Sequence, residues 1–151
     1  MARLPRKLPR WYNTIYGGDE DAWEEAKAQC LRTLRACAAK RDVCTYGDLA
    51  SRVDAITWPD GPHTHEGSQM GYLLGQVSLE QLDIETDRPL ISALVVEKDS
   101  QRPSHGFWAM CRELGLDEAV STESRREEFW LGEIDRCWKV YGTGQGVDRR
   151  S

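Results

Sequence analysis

Hydrophobic positions recur at helical spacing in four separate stretches. Trp23, Ala26, Cys30, Leu34 and Cys37 mark a first helix that starts near Asp19, where Asp19, Glu20 and Asp21 place negative charge at the favourable end of the helix dipole. Met70, Leu73, Leu74 and Val77 mark another, from about Glu66 to a turn over Asp83 to Arg88. Phe107, Met110, Cys111 and Leu114 define a helix ending at Gly115. Trp130, Ile134, Cys137 and Tyr141 define a last one, capped by Ser121 or Thr122 and stopped by the glycines from Gly142 to Gly146.

Between these lie shorter signals. Thr45-Tyr46-Gly47-Asp48-Leu49-Ala50 reads as a capping residue followed by a short helix, and the Pro-, Gly- and Asp-rich run from Asp54 to Gly67 reads as a loop. Pro89 to Val96 is short, rich in branched residues and bounded by polar turns, which predicts a buried strand. The expected order is helix, short helix, long loop, helix, strand, turn, helix, helix: an α+β fold, mainly helical, with a small β element and a C-terminal helix.

With 151 residues, 40% hydrophobic and 30% charged, the chain has the size and balance of one domain, and six Trp and five Tyr supply bulky core material. The expected organisation is an N-terminal arm over 1–18, a globular domain over 19–142 and a tail over 143–151. Trp11-Tyr12-Asn13-Thr14-Ile15-Tyr16 is aromatic enough to dock on the body. No apolar run approaches the roughly 20 residues that span a bilayer, and the basic N-terminus has no apolar stretch behind it, so no membrane association and a cytoplasmic location are expected. Five cysteines without a Cys-x-x-Cys pair point to reduced thiols, with Cys30 and Cys37 packing on one helix face.

Charge is unevenly placed. The formal net charge is −5, yet residues 1–10 carry Arg3, Arg6, Lys7 and Arg10 with no acid. The rest of the chain is therefore more acidic still and repels phosphate backbones on average, so contact with nucleic acid would need that arm plus a local basic face.

Chemistry-bearing motifs are sparse. His63-Thr64-His65, with Asp60 and Glu66 nearby, could begin a metal site, but His105 is the remaining histidine and zinc needs three or four ligands. Glu97-Lys98-Asp99 has the residue types of a metal-dependent nuclease, although adjacent strand residues point to opposite faces. Ser92 and Ser104 stand outside any Gly-x-Ser-x-Gly elbow, and Gly71-Tyr72-Leu73-Leu74-Gly75 lacks the lysine of a phosphate-binding loop. No cofactor and no resident metal are expected, and no enzymatic activity.

The order of a helix, Thr45 to Ala50, a loop, a helix ending Leu73-Leu74-Gly75, and Ser92-Ala93-Leu94-Val95-Val96 leading to Gly106-Phe107 resembles the C-terminal winged-helix domain of O6-alkylguanine DNA alkyltransferases and alkyltransferase-like proteins. The resemblance covers about residues 23–115. It implies a winged-helix-like core in which Tyr46 to Ala50 and Gly67 to Gly75 form a helix-turn-helix, with Ser68, Gln69, Tyr72 and Gln76 facing a groove and Tyr46 beside them. Ser92, Ala93 and Leu94 stand where that family has its acceptor cysteine, histidine and arginine, which removes alkyl transfer because serine lacks the thiolate. Tyr72 stands at the helix arginine that replaces a flipped base, and can stack on a base without copying the arginine's hydrogen bonds. Phosphate contacts would come from the arm, Arg52, Arg88 and Arg102.

The expectation is a non-enzymatic, winged-helix-like module of a bacterial-type system that binds DNA or RNA, or a protein partner with at least equal weight. Two alternatives stand beside it. One is a metal-dependent hydrolase or nuclease using His63, His65, Glu97 and Asp99, completed by His105. The other is a structural interaction domain presenting Trp108, Trp130 and Trp138.

Overall fold

The structure is a computed structural model that describes residues 9–16, 19–58, 69–85 and 87–142. The described chain runs through a 3-10 turn at Arg10–Asn13, α1 (Glu20–Ala39), β1 (Cys44–Thr45), α2 (Tyr46–Arg52), α3 (Gln69–Ile84), a second 3-10 turn at Ile91–Leu94, β2 (Val95–Val96), α4 (His105–Glu113) and α5 (Glu123–Gly142). The fold is α+β and mainly helical, as the periodicity predicts. No helix among the described residues is long and apolar enough to cross a membrane.

The helix starts are chemically explicit. Asp19 accepts from the Ala22 amide at 2.8 Å, Thr45 from the Asp48 amide at 3.1 Å, and Thr122 rather than Ser121 from the Arg125 amide at 3.1 Å. Each of these oxygens satisfies one amide that a helix's first turn leaves without a backbone partner. After α4 the chain turns at Gly115 with φ of 82°, a left-handed conformation that glycine adopts without steric cost.

Helix α1 is the hub. It packs on α5, α3, α2 and the 91–94 turn, burying Trp23, Ala26, Cys30, Leu34 and Ala38. The approach to α5 is so close that a Cβ at Gly142 would lie 2.6 Å from the Ala38 carbonyl oxygen. Cys30, Cys111 and Cys137 are buried, whereas Cys37 and Cys44 are only half-buried.

The segment expected as a strand from Pro89 to Val96 is one only at Val95–Val96, which pair in parallel with Cys44 and Thr45. The four residues before it form a 3-10 turn instead. The reason lies in who takes their backbone groups. Glu133 Oε2 accepts from the Leu90 amide (2.9 Å) and Ser78 Oγ from the Ser92 amide (3.2 Å). Trp130 Nε1–H donates to Ala93 O (2.9 Å) and Tyr141 O–H to Pro89 O (2.8 Å). Side chains of α3 and α5 thus replace the neighbouring strand that a ladder would require. Residues 89–96 are all buried.

The described residues of α2 end at Arg52 and those of α3 begin at Gln69, and the part of the expected helix-turn-helix at Gly67 and Ser68 lies outside the described residues. The main packing partners of α2 are α1 and the two strands.

Candidate functional site

The N-terminal aromatic segment docks on α3, and its attachment shapes the site. Gln76, on α3, is 1% exposed. Its amide nitrogen donates to Trp11 O and Thr14 O, both at 2.7 Å, while its oxygen accepts from Trp23 Nε1 at 2.8 Å. Gln69 Nε2 donates to Tyr16 O at 2.9 Å. Tyr16 stacks on Tyr72 with centroids 3.9 Å apart and planes 11° from parallel, and Trp11 lies 6.2 Å from the Tyr72 ring. Gly75 permits the close approach, because a Cβ there would lie 2.8 Å from the Trp11 ring.

This arrangement corrects the groove-facing set expected from sequence. Gln76 is buried and fully engaged as an anchor, and Gln69 is tied to the same strap, so neither is free to read a groove. Tyr72 has one ring face covered by Tyr16. Arg10 opens the docked turn, while Arg3, Arg6, Lys7, Ser68, His63 and His65 lie outside the described residues.

A cavity of about 460 Å³ opens between the strap, α3 and α4. Its walls are aromatic and aliphatic: Trp11, Tyr46, Tyr72, Leu74, Phe107 and Met110. Gly71 and Gly75 keep the α3 side low, and His105, Arg112 and Glu113 supply polar groups from α4. Its size lies within the ~300–1,000 Å³ typical of small-ligand sites.

Tyr46, Ser92 and Ser104 bring hydroxyl groups to this cavity, each bonded to a second hydroxyl. Tyr46, 6% exposed at the start of α2, donates its O–H to Ser104 Oγ at 3.0 Å and accepts from the Ser104 amide at 3.2 Å. Ser104 therefore precedes α4 without capping it, since its Oγ makes no cap bond there. On the α3 side, Ser78 accepts from the Ser92 amide and donates to Ser92 Oγ at 2.9 Å. Ser92 and Ser104 each accept a hydrogen bond from behind and line the cavity, so each keeps a hydroxyl proton to donate into it. Burial pushes the Tyr46 phenol up from its ordinary value, opposed by its two bonds to Ser104, so it remains a donor at neutral pH.

The other candidates do not assemble. Arg102 does not line the cavity; it lies in the turn closed by Glu97 N–H to Arg102 O, contacts Glu127, sits 3.8 Å from Glu123 and rests over the Trp130 ring. Glu97 and Asp99 sit on that turn, where Glu97 accepts from Ser100 Oγ. Among the described residues no group of three or more His, Cys, Asp and Glu could hold a metal. Trp108 and Trp130 are buried in the core and Trp138 Nε1 donates to Asp42 O, so the three do not make the exposed apolar face expected of them.

The sequence singles out Tyr46, Tyr72, Ser92, Ser104 and His105 but not their convergence. The available signal was the aromatic 11–16 segment, which docks as expected and brings Trp11 to the cavity. No family model, no curated protein and no solved structure matches the chain.

Proposed function

We propose that the chain is a non-catalytic, winged-helix-like binding module whose cavity accepts an unstacked base of a nucleic acid. The observation that carries this reading is the pairing of aromatic walls, Trp11, Tyr46, Tyr72 and Phe107, with two serine hydroxyls that each accept one hydrogen bond from behind. Flat apolar walls suit a π-face, and serine hydroxyls suit the oxo or ring-nitrogen acceptors on a base edge. Stacking on such walls is worth ~1–3 kcal/mol per base. Phosphate attraction would come from Arg3, Arg6, Lys7 and Arg10 of the arm, which leads directly into the strap carrying Trp11, with Arg112 at the rim.

The test is binding of fluorescent single-stranded DNA, matched duplex and a duplex with one mismatched base, across a salt series. The single strand and the mismatched duplex should bind more tightly than the matched duplex, because their bases leave the stack at lower cost. Ser92→Ala should weaken that binding, and deletion of residues 1–8 should reduce its salt dependence. Equal binding of all three DNAs, unaffected by Ser92→Ala, would contradict the reading.

The acidic net charge favours one second reading, a protein partner that inserts an aromatic side chain into the same cavity. It predicts no nucleic-acid binding even at low salt, and a complex that Ser92→Ala and Gln76→Ala both weaken.

A further inference from the structure

Most of the cavity wall belongs to the helical body, where Tyr46, Leu74, Ser92 and Phe107 come from α2, α3, the 91–94 turn and α4. Trp11 is different, because it comes from the strap, and the strap docks along one stripe of α3. Gln69, Tyr72 and Gln76 stand at i, i+3 and i+7 and form that stripe. The strap lies along it in the opposite direction. Trp11 O and Thr14 O meet Gln76, whereas Tyr16 meets Tyr72 with its ring and Gln69 with its carbonyl oxygen. Side-chain amides thus hold the strap's carbonyl oxygens towards both ends, and Asn13, Thr14 and Ile15 between them are exposed. Tyr16 itself does not line the cavity.

We infer that the strap is a clasp coupled to occupancy of the cavity, with Tyr16 as the residue that positions its wall from outside. The inference rests on the reading of the cavity as a base site. A base that stacks on Trp11 meets that ring only while the strap is docked. It therefore binds the docked state more tightly than the undocked one and shifts the population towards it. The same coupling acts in reverse: a docked strap raises the affinity for the base by the factor by which the base favours docking. The contribution of Tyr16 passes through the two rings it holds, Tyr72 by stacking at 3.9 Å and Trp11 by fixing the strap that carries it.

The experiment follows amide hydrogen exchange by NMR in the full chain, free and saturated with single-stranded DNA, with saturation set by fluorescence anisotropy. The Tyr12 and Thr14 amides report on the strap, since they donate to Pro9 O at 3.0 Å and Trp11 O at 3.3 Å within its turn. Exchange at both should slow by about ten-fold, within the ~5–150-fold span of coupled sites. The Gln101 amide, which donates to Glu97 O at 2.8 Å in a turn away from the cavity, should keep its rate. Tyr16→Leu, which removes the stack, should bind the DNA several-fold more weakly, and Tyr16→Phe, which keeps it, should bind like the wild type. Strap exchange that is unchanged at saturation, or Tyr16→Leu binding as tightly as the wild type, overturns the inference and leaves the base-site reading standing. DNA that does not bind the wild-type chain at all overturns both. The wild-type exchange rates decide alone if Tyr16→Leu fails to fold.

Discussion

Two buried polar networks sit back to back across Ser92, and they differ in one respect. Behind the 89–93 segment, Glu133, Trp130, Tyr141 and Ser78 meet backbone groups one for one, and Glu133 further pairs with Arg136 at 3.0 Å. On the cavity side, Ser92 and Ser104 accept hydrogen bonds from behind and face open space in front. A closed network fixes the path of the chain, since any missing member leaves a buried group unpaired. An open one keeps donor capacity for something that enters. On the proposed function, the contrast separates the residues that hold the fold from those that would meet a ligand.

The largest expected effect comes from the closed side. Glu133→Ala leaves the buried Leu90 amide without its acceptor, and should cost about 2 kcal/mol or more, lowering Tm by roughly 4–8 °C. Thermal unfolding measures it, and DNA affinity of the folded fraction should not change. Gln76→Ala bridges the two regions: it frees the strap by removing the donors to Trp11 O and Thr14 O and orphans Trp23 Nε1. A stability loss of about 1–2 kcal/mol should accompany a several-fold fall in affinity as the Trp11 wall loosens. Ser92→Ala keeps the bond from residue 92's amide to Ser78 Oγ but takes the acceptor from the buried Ser78 hydroxyl, so stability should fall by about 1 kcal/mol, while affinity falls by about 1 kcal/mol, roughly five-fold.

The smallest effect at neutral pH belongs to Cys30. Burial pushes its thiol up from 9.0 to about 12. A folded-state pKa above the unfolded value gives stability that is complete below pH 9 and lost as pH rises towards 12. Denaturant titrations from pH 8 to 11 should show that decline, and Cys30→Ala should flatten it. A decline of the same slope in the variant would assign the alkaline limb to other groups.

Much of the scaffold is legible because its causes are local. Asp19, Thr45 and Thr122 cap the helices that their neighbours' periodicity predicts, and Gly115 ends α4 where the pattern stops. The 89–96 segment is not legible in the same way. Its branched residues argue for a strand, but Ser78, Trp130, Glu133 and Tyr141 decide its backbone from other parts of the chain. Gln76 is misread for a related reason: a glutamine on a helix ordinarily faces water, and only the return of residues 11–14 buries it. The cavity depends on pairs such as Tyr46 with Ser104, 58 residues apart, which no spacing rule reveals.

The central claim is that an unstacked base enters the cavity, and the indole N–H signals of the six tryptophans test it directly in a 1H–15N NMR titration with single-stranded DNA. Trp11 lines the cavity, whereas Trp130 and Trp138 donate to Ala93 O and Asp42 O away from it. The account predicts a saturable shift of the Trp11 signal with Trp130 and Trp138 unmoved, and loss of that shift in Ser92→Ala. A Trp11 signal that stays in place while DNA binds, or fails to bind at any salt concentration, would contradict it.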